Sequence, residues 1–504
     1  MQNNTSNTIQ AFWIGFGSLC SFSFSLISAA IISRYLTKDD YGTYKQVMYV
    51  YNTLLVVFTL GLPRAYSYFL PRIDIEQGPS MIRKLNLCFL LLGVIFSISI
   101  YFSAEIVAKI LNNSTLVSPL KIFAPTPIFL LPTMGLEGVL ATYKRTQWSA
   151  IYSVTTRLLS ILFVALPVIF YRADTRVAVQ GFTVSSVFTC IIGLYFMYLP
   201  FKGIKKVPTT VTLKEIFAFS IPLMFAGFWG IAEKSADQFF ISRWFGEAVF
   251  ADFANGSLEL PFVGMVLSAG AVVLLPLFSK MIAGDVEQKE IINLWRRSAI
   301  KAAYILYPLV AFSWFFADII MTFLYGDRYE DSGTYFRIML SINFFTIAQY
   351  YPILLALGKT KLYSNVLMSA AIAVWIFEYL SVELLANPYL VSVVAICVRI
   401  LKIIIFLRAI AIMLCSSITD LVPFRVLFKI FLTSTVAALI SYITVSKISF
   451  IHYRIFVLII GFTIFTIVLL VLARILNIDY FNVIKPILLK FRLKKWNLIK
   501  SSGN

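Results

Sequence analysis

Three cations sit inside long apolar stretches of this chain: Arg157 midway along residues 148–171, and Arg399 with Lys402 at similar depth in 389–414. A charge at the centre of a membrane-spanning helix costs about 2.5 to 3.5 kcal/mol on insertion scales, so a position that keeps one is a candidate for function. The three-residue spacing of Arg399 and Lys402 puts them on one helical face. Arginine by bidentate geometry and lysine as a point charge suit a polyanion such as a phosphate or diphosphate. The alternative is that these side chains snorkel to an interface or neutralise a neighbouring acid.

The acidic candidates are fewer. Glu259, followed by Leu260-Pro261, falls midway along the apolar stretch 250–279. A carboxylate there suits a coupling proton or sodium ion, or a structural ion pair with a deep arginine. Glu233, Lys234 and Asp237 fall near the far end of 216–242. Glu233 and Asp237 share a face and Lys234 can pair with Asp237, which fits a gate or rim network. Glu137, shortly before Lys144 and Arg145, fits a plain interfacial ion pair. Cys20, Cys88, Cys190, Cys397 and Cys415 lie in apolar stretches without CxxC spacing, and the single histidine is His452 in a short turn. No metal site, cofactor or histidine-based catalysis is expected. No GxxxxGK[ST] loop occurs, so hydrolysis of nucleotide is not expected either.

The elements that must position these groups are membrane helices. Of 504 residues 60% are hydrophobic and 13% charged, and the mean hydropathy is +0.85, whereas soluble domains carry about 25% charged residues. Stretches near the roughly 20 residues that a bilayer requires predict about fourteen spans: 11–33, 46–62, 85–103, 119–141, 148–171, 177–200, 216–242, 250–279, 298–325, 335–357, 362–382, 389–414, 424–446 and 455–473. Most of the 43 Lys and Arg fall on the side shared by the two termini, among them Arg72, Arg83, Lys205, Lys206, Arg296 and Arg297. By the positive-inside rule both termini are cytoplasmic, which also accounts for the net charge of +19 without nucleic acid. The first span, ending at Arg34, reads as a retained helix and not a cleaved signal. Residues 481–500 alternate Phe481, Ile484, Leu488, Phe491 and Trp496 with lysines and arginines, as a helix on an anionic leaflet or a basic topology signal would.

The chain also repeats itself. Ile32-Ser33-Arg34, Tyr41 and Tyr44 lie over Ile241-Ser242-Arg243, Phe250 and Phe253 at an offset of 209. Ala104-Glu105-Ile106 lies over Ala317-Asp318-Ile319, and Leu140-Ala141 with Lys144 over Leu355-Ala356 with Lys359. The expected organisation is a six-helix lobe in 1–207, a second in 208–415, and helices 13 and 14 with a basic cytoplasmic tail in 416–504. Six spans per copy place the two lobes in parallel, and transporters built so bind substrate between halves that rock. Pro125, Pro127, Pro132, Pro222, Pro276 and Pro352 fall within spans and fit hinged helices.

One stretch carries a family resemblance. Arg34, the acidic turn Lys38-Asp39-Asp40, Tyr41-Gly42 and then Leu60-Gly61-Leu62 resemble the opening of O-antigen and polysaccharide flippases. Pro222, Asp237, Arg243 and Pro276 in their local context are similar to the start of that family's second lobe. The resemblance implies membership of the multidrug/oligosaccharidyl-lipid/polysaccharide exporter superfamily and an all-α fold of two MATE-like six-helix lobes with an extra helix pair. It further implies a transporter, not an enzyme, that moves a polyprenyl-pyrophosphate-linked oligosaccharide across the bacterial inner membrane. Its partners would be that glycan, membrane lipids and polysaccharide polymerase machinery, with Arg157 and Arg399 as candidates for the pyrophosphate. Two alternatives remain: a multidrug or organic-cation antiporter, which would need acidic groups to dominate the cavity, and a membrane glycan polymerase or ligase, which commonly carries a large outer loop.

Overall fold

A computed structural model of the chain describes residues 7–171, 174–284, 286–447, 453–478 and 480. His452 and the basic stretch 481–500 lie outside these described residues. Every regular element among them is helical. The long helices are α1 (Asn7–Tyr35), α2 (Lys38–Thr59), α3 (Gly78–Ile110), α4 (Ser114–Thr142), α5 (Thr146–Phe170), α6 (Thr175–Phe201) and α7 (Leu213–Gly256). They continue as α8 (Pro261–Ala283), α9 (Gln288–Phe315), α10 (Asp331–Ser341), α11 (Thr360–Leu385), α12 (Pro388–Met413), α13 (Phe424–Ser446) and α14 (Arg454–Ile475).

Among the described residues twelve helices are long and apolar enough to cross a membrane. A thirteenth span is counted if Lys38–Thr59 and Pro63–Arg72, bent by 41°, form one crossing. The chain is a multi-pass membrane protein. The expected tenth span, 335–357, is broken: α10 ends at Ser341, a tight turn covers Ile342–Phe344, and helix resumes at Tyr350–Ala356. A break at membrane depth is tolerated where neighbouring helices take the freed carbonyls. Here α9 does so, with Tyr307 Oη donating to the Phe344 carbonyl at 2.9 Å and Trp295 Nε1 to that of Gln349 at 3.3 Å.

The boundary between the expected seventh and eighth spans also moves. α7 runs from Thr212, which caps it reciprocally with Glu215, through Gly246 and on to Gly256. Gly246 takes φ 81° and ψ 176°, a non-helical conformation open to glycine, so two helical segments meet there at a kink. α8 starts at Pro261. Glu259 therefore lies in the turn before a helix and not midway along one.

The contacts divide the chain into two compact units. The first holds residues 1–261, 324–332 and 367–395, and its spine is α2 laid along α7. Thr37 caps α2 by accepting from Asp40 N at 3.1 Å, and Asp39 and Asp40 complement the helix dipole. Tyr41 Oη donates to Asn255 Oδ1 at 2.7 Å, Gln46 Nε2 to Ser242 Oγ at 2.8 Å, and Tyr49 Oη to the Ser235 carbonyl at 3.3 Å. Lys38 Nζ pairs with Asp252 Oδ2 at 2.6 Å, and Ser332 Oγ donates to the same carboxylate at 3.2 Å. The residues matched by the repeat are buried alike: Ile32 with Ile241, Ser33 with Ser242, Tyr41 with Phe250, Tyr44 with Phe253. Gln46 and Asn255, at the same offset of 209, are also both buried in the seam.

The second unit comprises 262–323, 333–366 and 396–504. Its helices pack through small residues: Ala311 of α9 and Ala437 and Ala438 of α13 form a core with Phe465 and Leu469 of α14. Ser441 Oγ donates to the Gly461 carbonyl at 2.6 Å, where a side chain on Gly461 would strike the ring of Phe316.

Gly42 sets how closely α2 and α7 approach, because a Cβ there would overlap the Glu247 carbonyl oxygen. Forced overpacking of this kind costs about 1 to 3 kcal/mol. Gly42→Ala is expected to lower the Tm of the detergent-solubilised protein by several degrees. Gly230→Ala on α7, where a Cβ meets open space, is expected to leave the Tm unchanged or raise it. Equal Tm values for the two variants would refute a tight seam at Gly42.

Candidate functional site: a cationic cavity beside α2

Four helices of the first unit line a cavity of about 360 Å³, α6 contributing Phe182. α1 contributes Ser25 and Ser28, α2 contributes Tyr44, Lys45, Met48 and Asn52, and α5 contributes Arg157 and Ser160. The spacings explain the convergence. Ser21, Ser25 and Ser28 follow one face of α1, and Lys45, Met48 and Asn52 one face of α2. At 1.5 Å per residue Lys45 lies about 10 Å from the start of α2.

α5 has a local distortion at the cavity. Pro167 has no N–H, and in a regular helix its ring would collide with the carbonyl of residue 163. Residues Ile161–Ala165 instead form a π-helical turn directly after Ser160. The displaced Phe163 carbonyl is accommodated by Gly181 of α6, where any Cβ would overlap it. Such turns concentrate at functional positions. Arg157 sits one turn before it, with Nε donating to Ser21 Oγ at 3.1 Å.

Lys45 was not among the expected site residues, because the second span seemed to begin at 46 and left Lys45 at its edge. The helix begins at Lys38 and carries Lys45 inward. Its ammonium lies 5.1 Å from the centroid of the Tyr41 ring. Among the described residues neither Lys45 nor Arg157 is in an ion pair, and the cavity lining includes no carboxylate.

Of the other expected residues, Lys234 and Glu259 are brought together, Nζ to Oε1 at 2.6 Å, in a pair whose side chains are 65% and 80% exposed. Asp237 and Glu233 are buried in α7. A further carboxylate that was not anticipated, Glu378 of α11, is fully buried. Arg399 and Lys402 are half-buried on α12 in the second unit. The motif residues occupy helix ends and kinks. Arg243 donates to the Ile110 carbonyl at the end of α3, and Arg328 to that of Arg34 at the end of α1, cations on the negative ends of helix dipoles. Tyr41 and Gly42 lie in the seam, and Pro222 and Pro276 within α7 and α8.

The second unit holds a larger cavity, about 870 Å³, walled by Phe344, Phe345, Ile403, Leu407, Phe428 and Phe431 with Arg425 on its lining.

Residues 31–334 match the family model described as polysaccharide biosynthesis protein, more than half of the chain. The chain belongs to this family. Solved transporter structures share its fold: a lipid II flippase MurJ in an inward closed conformation matches with TM-score 0.66 and 14% identity, covering 94% of this chain and 100% of the flippase. A multidrug resistance MATE family transporter in an inward-facing conformation matches with TM-score 0.60 and 13% identity, over 82% of this chain and 96% of that one. A MOP superfamily transporter from Pyrococcus furiosus, described as having a binding pocket of reverse polarity, matches with TM-score 0.55 and 14% identity, over 80% and 94%. No curated protein matches the chain.

Two ion pairs in the first unit should differ in weight. Exposed pairs contribute about 0 to 1 kcal/mol, whereas removing one partner of a buried pair costs about 3 to 5 kcal/mol. Asp252 is buried. Lys38→Met is expected to lower the Tm clearly, and Lys234→Met to leave it within a degree or two. A Lys234 variant that melts earlier than the Lys38 variant would reverse this ranking.

Proposed function

We propose that this chain is a flippase that moves a polyprenyl-diphosphate-linked oligosaccharide, a repeat unit of O-antigen, capsule or exopolysaccharide, across the bacterial inner membrane by alternating access. The observation that carries this reading is the cavity in which Arg157 and Lys45 meet without a carboxylate. Family membership supports a role in polysaccharide biosynthesis, and the MOP fold supports transport. A diphosphate in hydrocarbon would face a Born cost of tens of kcal/mol, and a polar cationic cavity removes most of that barrier. An organic cation would be repelled from the same place.

In this reading 1–207 and 208–415 are the two rocking lobes, both termini are cytoplasmic, and Arg399 and Lys402 are further cationic candidates for substrate binding. Glu233 and Asp237, joined by Glu378, are the carboxylates through which a coupling cation would act, and Lys234 with Glu259 forms a rim pair. Membrane lipids and polysaccharide polymerase machinery are the further partners.

Deleting the gene is expected to trap lipid-linked repeat units on the cytoplasmic leaflet, read as loss of surface polysaccharide and accumulation of the intermediate in lipid extracts. Complementation with Arg157→Ala or Lys45→Ala is expected to restore less than about a tenth of the export, since a charge-assisted contact contributes about 1.5 to 3 kcal/mol. Immunoblots should show normal membrane content. Unchanged surface polysaccharide in the deletion, in a strain with no second flippase, refutes the proposal; full export by both variants removes the site.

A further inference from the structure

Several other cations of the first unit have partners of their own. Lys38 has Asp252, Lys121 has Glu105 at 2.8 Å, Lys234 has Glu259, and Arg243 and Arg328 have carbonyls at helix ends. Arg157 and Lys45 have a serine hydroxyl and an aromatic ring. Neither partner neutralises a charge: Arg157 is exposed on the cavity wall and Lys45 half-buried, each without a carboxylate beside it. The remaining lining is donor-rich, with the hydroxyls of Ser25, Ser28 and Ser160 and the amide of Asn52. Hydroxyls and an amide added to a guanidinium and an ammonium match the several oxygens of a tetrahedral oxyanion. The volume of about 360 Å³ equals on the order of ten waters at about 30 Å³ each. That is room for a phosphate or diphosphate with a few waters, and not for an oligosaccharide chain.

We infer that the Arg157–Lys45 cavity is a phosphate-group site that is never left empty: a free inorganic oxyanion of the phosphate class occupies it whenever the diphosphate of a lipid-linked substrate does not. Loading the lipid-linked substrate is then an exchange of one anion for another, and free phosphate competes with it. No covalent step is involved. The identity of the second occupant rests on the flippase reading, whereas occupancy by the free anion rests on the cavity alone.

The full chain in phosphatidylcholine nanodiscs, in phosphate-free gluconate buffer, is titrated with radiolabelled inorganic phosphate. Saturable binding to the wild type is expected, at least tenfold weaker in Arg157→Met and in Lys45→Met and unchanged in Lys121→Gln. Farnesyl diphosphate is expected to displace the label from the wild type, a measurement that stands even if a variant fails to fold. Absence of saturable phosphate binding, undiminished binding in both cavity variants, or farnesyl diphosphate that binds without displacing phosphate each overturns the inference. Phosphate binding in a protein whose deletion leaves surface polysaccharide intact removes the flippase reading and keeps the anion site. Binding of the prenyl diphosphate with no binding of phosphate does the reverse.

Discussion

The first unit depends on a line of polar bonds buried between two helices that have little but hydrocarbon around them. Within a membrane a hydroxyl, amide or carboxylate removed from its partner finds no water, so each partner fixes the other's register. Tyr41 with Asn255, Gln46 with Ser242, Tyr49 with the Ser235 carbonyl and Lys38 with Asp252 hold α2 to α7 at successive levels. Asn113 extends the line by donating to Gln46 Oε1 at 2.6 Å and to Thr43 Oγ1 at 3.0 Å. With α2 held in register, Lys45, Met48 and Asn52 face the cavity. A slip of one residue would turn them away by about 100°.

The seam and the cavity share α2 and treat charge in opposite ways. On the seam, charge and dipole are matched within the chain, and the helix ends nearby are capped by arginines whose guanidiniums rest on carbonyls. In the cavity, positive charge is gathered without a counterpart. The first arrangement holds a fold together; the second is the arrangement from which the proposed anion site is argued. On α7, Lys234 is exposed and paired with Glu259, while Glu233 and Asp237 are buried inside the unit.

Much of this was legible in the residues. Apolar length located nearly every helix, because a bilayer sets one minimum for all of them. The repeat singled out Ile32, Ser33, Tyr41 and their matches, all of which prove to be buried. Arg157 was found by its depth. Other features depend on signals outside apolar length. Lys45 was hidden because hydropathy starts a span after the last charge, whereas the helix starts at its cap, Thr37. The tenth span reads as continuous because Phe344, Phe345 and Ile347 are apolar; what breaks it is the availability of Tyr307 and Trp295 to take its carbonyls, which is a property of α9. Glu259 appeared central because nothing local warned that Gly246 would let α7 run on to Gly256. Glu378 gave no signal apart from being an acid in an apolar run.

The π-helical turn of α5 adds one residue to a single turn of helix. Its effect on α5 is one of phase: residues before Ile161 and after Ala165 do not belong to one continuous stripe, since each extra residue rotates the rest of the helix by about 100°. Arg157 and Ser160 can therefore keep their place on the cavity wall while the remainder of α5 is packed by a separate set of constraints. Sequence change on the Pro167 side is mechanically insulated from the charged side, provided Gly181 continues to leave room for the Phe163 carbonyl. The helix is in effect two independently heritable faces joined by one proline, and a chain with this proline replaced would have to choose between them.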